Sequence, residues 1–528
     1  MNIHSSIEKL PTSHAWQYIG TSPKHGICVP LFSLHTQNSC GIGEFLDLIP
    51  LISWCKTSGF QIIQLLPLND TGEDSSPYNS ISSIALNPLF LSLKNLPEAN
   101  SIPNASDKFQ EMHKLCEFPT VHYIKVKNAK WSFLKEYYKR VGRTMISNNQ
   151  AFQNFLKQES YWLTPYTIFR AIKNHMKGAP INIWPKAFTN PKNFLSLKKI
   201  FFHEIQFFSY IQFLCYQQMK QVRNFADQQK IFLMGDLPIL ISKDSCDVWY
   251  YRQYFSSSGS VGAPPDLYNT EGQNWHLPIY NLKNLKKDDY IWWKERLRYA
   301  QNFYSLYRLD HIVGFFRLWV WDNFGNGKFI PENPKDYIQQ GTDLLSVLLK
   351  TSSMLPIGED LGSVPKDIKD TLSTLGICGS RIPRWERQWE KDGSFISFKN
   401  YPPLSVTSLS THDSDTLALW WKHAPKEAKE FAAFLQLPFS IELTTDIQKT
   451  ILRLSHQTTS IFHINLLNDY LSLCPDLISK NLQNERINLP GTISKHNWVY
   501  RVRPSIEQLS FHDTLNSHIE EILRDSKS

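Results

Sequence analysis

Residues Leu306–Phe315 read L-Y-R-L-D-H-I-V-G-F. Leu306, Leu309, Ile312 and Val313, with Tyr307 and Phe315, make a short apolar run of the kind that forms a buried strand. Arg308, Asp310 and His311 interrupt it, and charge is costly to bury unless it is paired or used. The stretch is predicted to be a buried strand whose end carries a carboxylate flanked by a cation and an imidazole.

The same pattern recurs on either side. H-G-I-C-V-P-L-F-S-L-H (25–35), Q-I-I-Q-L-L-P-L-N-D (61–70), I-F-L-M-G-D-L-P-I (231–239), M-L-P-I-G-E-D-L-G (354–362) and V-T-S-L-S-T-H-D-S (406–414) are short apolar runs ending in polar or charged residues. Helical patterns separate them, at 43–56, 292–304, 336–350 and 364–376, the last with Pro in its first turn and Gly at its end. Strands alternating with helices indicate a parallel α/β architecture. Acids at many strand ends over this length favour a (β/α)8 TIM barrel, in which those ends build the active site. One catalytic barrel is expected over residues 20–528, with largely helical insertions near 90–225 and 415–500.

Composition narrows the function classes. A 42% hydrophobic content over 528 residues supplies a large core. The net charge of +8 is spread over 56 basic and 48 acidic residues without a concentrated basic stripe, which argues against a nucleic-acid partner. Eight scattered cysteines without a C-x-x-C pair are expected to be buried thiols. The first residues lack a signal-peptide layout and no apolar run approaches the roughly 18 residues of a membrane span, so a cytoplasmic location without membrane attachment is expected. Sixteen Trp, 22 Tyr and 32 Phe are compatible with a large core or with rings that stack on sugars; composition does not choose.

Four acids stand at strand ends: Asp236 in M-G-D-L-P, Asp310 in R-L-D-H, Glu359 in G-E-D-L-G and Asp413 in S-T-H-D-S. Singly each is better read as a cap or an ion-pair partner. Converged at one barrel mouth they suit retaining glycosidic chemistry, in which one carboxylate attacks the anomeric carbon and a second carboxyl protonates the leaving oxygen. Metal-assisted hydrolysis with His311, His412 and the acids as ligands is the rival, but no metal-ligand spacing supports it. On the glycosidic reading Arg308, two residues before Asp310 and on the same strand face, is expected to keep Asp310 ionised. Neighbouring carboxylates are expected to keep the proton on Glu359. His311 and His412 are read as holding sugar hydroxyls.

The chain resembles the amylomaltase family of 4-α-glucanotransferases, in the α-amylase clan. The resemblance runs from P-L-F-S-L-H and G-I-G-E-F near the start to L-P-G-T and H-N-W-V-Y-R near the end. It is strongest in G-A-P-P-D-L-Y-N-T-E-G-Q-N-W-H-L-P-I-Y (262–280) and R-L-D-H-I-V-G-F-F-R-L-W (308–319). It implies Asp310 as nucleophile, Glu359 as acid/base and Asp413 as the carboxylate that stabilises the transition state. Arg308, His412, Tyr78 in S-P-Y-N, and Asp266, Gln273 and Trp275 match substrate contacts, and Asp236 joins them on its strand-end position. The residues near 255–280 are similar to the family's mobile lid loop. The implied reaction moves an α-1,4-glucan segment through a covalent enzyme ester to another sugar's 4-hydroxyl, with no metal or cofactor. Maltose, maltodextrins and glycogen are the implied partners. S-S-P-Y (75–78) and T-H-D-S (411–414) depart from the family's usual D-S-P-Y and T-H-D-N. They look more like the branch that includes the plant cytosolic enzyme.

Overall fold

In a computed structural model, residues 7–147, 149–265 and 270–524 are described. Twelve strands are found among them: β1 (Lys24–Val29), β2 (Ile62–Leu65), β3 (Phe232–Leu237), β4 (Phe255–Ala263), β5 (Gln273–Tyr280), β6 (Leu306–Leu309), β7 (Leu318–Asp322), β8 (Gly327–Ile330), β9 (Leu355–Gly358), β10 (Gly379–Arg381), β11 (Ser405–Thr407) and β12 (Phe462–Leu466). Eight of them form one parallel sheet in the order β10-β11-β12-β1-β2-β3-β6-β9. A parallel bridge from Ile357 to Cys378, with Gly358 N donating to Cys378 O at 2.7 Å, joins the two ends of the sheet. The result is the expected (β/α)8 barrel.

The barrel strands are short and almost wholly buried, which is why they read as near-continuous apolar runs. Their close approach constrains sequence: at Gly26 in β1 an added Cβ would lie 2.5 Å from Ile62 O on β2. The surrounding helices start and stop where local chemistry dictates. Helix 366–375 begins after Pro365 and ends at Gly376, whose φ of +74° lets its amide return to the carbonyls of Leu372 and Ser373. Helix 334–351 has Pro334 in its first turn and the Asn333 side chain accepting from Lys335 N.

Two expectations need correction. Segment 415–500 is not solely a helical insertion, because it contains β12, the strand that pairs with β1 and β11. Residues 255–280 are not a plain loop. β4 and β5 form a hairpin arm that extends, through β7 and β8, into a four-stranded antiparallel sheet in the order β5-β4-β7-β8. Ser- and Gly-rich β4 has no apolar alternation of its own, and its pairing with β7 across some sixty residues of chain makes it a strand.

The aromatic surplus belongs mostly to the core. Trp16, Trp249, Trp292, Trp293 and Trp421 are fully buried, and Trp389 is the one clearly exposed tryptophan among the described residues. All eight cysteines are buried and free of disulfides.

Candidate active site

The C-terminal ends of β3, β6, β9 and β11 bring Asp236, Arg308, Asp310, Glu359, His412 and Asp413 together, and the loop after β2 adds Tyr78. Arg308 is the hub. Its Nη1 donates to Asp236 Oδ2 at 2.7 Å and to Asp310 Oδ1 at 3.2 Å, and its Nη2 lies 2.9 Å from Glu359 Oε2. Register explains the first contact, since Asp236 and Arg308 are direct partners on β3 and β6. The Tyr78 hydroxyl donates to the same Asp236 oxygen at 2.7 Å. Asp236 is thus buried and bonded within the site rather than elsewhere in the barrel.

One guanidinium serves three carboxylates, so its charge is shared among them rather than reserved for Asp310. Arg308 lies closer to Asp236 and Glu359 than to Asp310. Burial raises Asp310's pKa most; Arg308 opposes it, and the neighbouring Glu359, Asp236 and Asp413 add to it, leaving Asp310 pushed up to about 8. Glu359 meanwhile accepts from Arg308 and, through Oε2, from the main-chain N–H of His311 at 2.8 Å.

Asp413 lies at the other extreme. Burial would raise its pKa, but the His412 imidazole 3.4 Å away, the Asn488 amide donating to Oδ1 at 2.7 Å, and Arg308 together hold it down to about 2. His412 is correspondingly raised by Asp413 against its own burial. Its ring stacks on Tyr78 at 5.3 Å and 15° and is tilted against Trp498 at 5.9 Å.

The arm contributes Trp275, whose indole stands perpendicular to the His311 ring at 5.2 Å. Gln273 is engaged within the arm, its Oε1 accepting from Trp275 Nε1 at 3.0 Å. Asp266 lies outside the described residues. Sequence reasoning missed Asn488 and Trp498 as site residues, although H-N-W-V-Y-R was already marked as a motif. It also missed Arg486, which reaches Asp413's carbonyl at 3.4 Å. Two clusters of potential metal ligands among the described residues, His25–His456–His463 and Cys474–Asp476–His512, include none of these side chains.

A (β/α)8 barrel with carboxylates gathered around a buried arginine at its strand ends defines a class, the barrel enzymes that act on glycosidic bonds. Within it the chain belongs to the 4-α-glucanotransferase family, glycoside hydrolase family 77, whose model matches residues 29–507. It is 67% identical to the 4-α-glucanotransferase of Chlamydia pneumoniae, over 99% of both chains. It is 66% identical to that of Chlamydia caviae, over 98% of this chain and 97% of the relative. The solved amylomaltase of Streptococcus agalactiae in complex with acarbose shares the fold, with a TM-score of 0.81 over 96% of this chain and 99% of that one, at 23% identity.

Proposed function

We propose that the chain transfers α-1,4-glucan segments by double displacement, with Asp310 as nucleophile, Glu359 as acid/base and Asp413 as the carboxylate that stabilises the oxocarbenium-like transition state. The observation that carries this reading is the single guanidinium of Arg308 touching both Asp310 and Glu359. It keeps the two carboxyls close enough to act on one glycosidic bond, as a double displacement requires.

The reaction on this reading starts with Asp310 ionised and a proton on Glu359. Glu359 then protonates the leaving oxygen while ionised Asp310 attacks the anomeric carbon, forming the glycosyl ester. Asp413, ionised by its partners, holds hydroxyls beside the reacting carbon as the ring flattens. In the second half-reaction Glu359 takes the proton of the acceptor's 4-hydroxyl, and that oxygen displaces Asp310. The arm carrying Trp275 is read as a cover over the acceptor side that favours sugar over water. Maltose, maltodextrins and glycogen are the proposed glucans, and maltodextrin or glycogen metabolism the proposed setting. No step calls for a metal.

Incubation of the protein with maltotriose, with and without chelator, tests the reading. The expected product is a ladder of longer maltodextrins with glucose or maltose, unchanged by chelator and absent in D310N. Glucose and maltose alone would identify a hydrolase, and loss of activity with chelator would return the metal-dependent alternative.

A further inference from the structure

His311, between the arm and the acids, has an unusual backbone. Its φ is +44°, in the left-handed region that residues other than Gly, Asn and Asp rarely adopt. Strain of this kind persists only where the surroundings over-determine it. Here they do so on two sides. The main chain is tied to the Glu359 segment: Ile312 N donates to Glu359 O at 3.1 Å, Glu359 N donates to Leu309 O at 3.0 Å, and His311 N donates to the Glu359 carboxylate at 2.8 Å. The imidazole is packed between Trp275 of the arm and Gly314, where even an added Cβ would come within 3.1 Å of His311 Cδ2.

With residue 312 anchored, His311 cannot relax toward an ordinary φ without turning the Asp310–His311 peptide. Its N–H would then leave Glu359. The N–H also has a definite chemical preference, since a donor aimed at a carboxylate favours the ionised form. That is the form Glu359 needs as base in the second half-reaction, when the acceptor loses its proton.

We propose that His311 is a positioning residue whose left-handed backbone aims its N–H at Glu359 and so makes Glu359 a ready base for the acceptor. While the left-handed backbone is held, the N–H supports the carboxylate. Relaxed to an ordinary φ, it would leave Glu359 with Arg308 alone. The role differs from a hydroxyl contact, because it acts through the main chain. It rests on the reading of Glu359 as acid/base.

An activated donor, maltotriosyl fluoride, isolates the second half-reaction, because fluoride leaves without an acid and transfer to maltose then limits turnover. The expected result for H311A is about a tenfold loss in kcat with a small change in the acceptor KM, and an acid limb of the pH–rate profile moved up by about one unit. H311N and H311G, which accept a positive φ readily, restore most of the rate and the position of the limb. An unmoved limb in H311A, or Asn and Gly variants as impaired as a folded Ala variant, overturns the proposal. If H311A fails to fold, impairment of both H311N and H311G does the same. E359Q separates this from the underlying reading. Wild-type transfer in E359Q refutes the acid/base assignment itself, whereas an inactive E359Q with an unmoved H311A limb refutes only the coupling.

Discussion

Replacing Asp310 with Asn is expected to abolish transfer and yet make the protein more stable, increasingly so as pH rises. Burial and the neighbouring carboxylates push the folded carboxyl up to about 8 from its ordinary 3.8. At pH 7 the unfolded chain has lost this proton and the folded chain keeps it, so ionisation favours the unfolded state. The interval is 7 − 3.8, or about 3 units, and at about 1.4 kcal/mol per unit the ceiling is about 4 kcal/mol. The side chain is 22% exposed and already has Arg308 as a partner, so a gain of about 2–4 kcal/mol is the working figure. The sign follows from the raised value. The wild type bears no penalty below the unfolded pKa, loses stability as pH rises from about 4 to about 8, and changes little from this group above that. For a chain of this length the unfolding entropy is about 1.1 kcal/mol per degree, so the gain amounts to about 2–4 °C in Tm. Calorimetric scans of both proteins at one rate, at pH 5, 6, 7 and 8, should show the gap widening by about 1 °C per pH unit. A gap independent of pH, or a less stable variant at pH 7, would mean that Arg308 already keeps Asp310 ionised in the empty site.

Asn488→Ala removes the 2.7 Å donor to Asp413, and transfer from maltotriose should fall about 10–100-fold with KM little changed, as read from initial rates. Tyr78→Phe keeps the ring on His412 and deletes the hydroxyl on Asp236; kcat/KM should drop about tenfold while Tm stays within about 1 °C. Gly26→Ala forces a methyl against the Ile62 carbonyl of the neighbouring strand, and stability should fall by about 1–3 kcal/mol, visible as a lower Tm by circular dichroism.

The barrel was legible where a strand's own residues betrayed it. β3, β6 and β9 are apolar runs closed by Asp236, Asp310 and Glu359, and a carboxylate that follows buried residues is hard to explain except by use. β12 was not legible. F-H-I-N-L carries His463 and Asn465, whose polarity makes sense only through Thr458, Ser455 and Leu409, residues outside the strand that bond to them. β10 is three residues, Gly-Ser-Arg, too short for any periodicity. In the site, the acids and Arg308 could be read from sequence, but not their shared charge, because the arginine's nearest partner depends on the β3–β6 register. Asn488 and Trp498 come from irregular chain far from the strand ends, and only folding brings them to Asp413 and His412.

The seam between β1 and β12 also dictates when the molecule can exist. Lys24–Cys28 must pair with Phe462–Leu466, about 440 residues further on. On a ribosome adding roughly 5–20 residues per second, the N-terminal strand waits about 20–90 s for its partner. During that wait its hydrogen-bonding edge is open to any other extended chain, so the nascent protein is most prone to aggregate just before its last strand emerges.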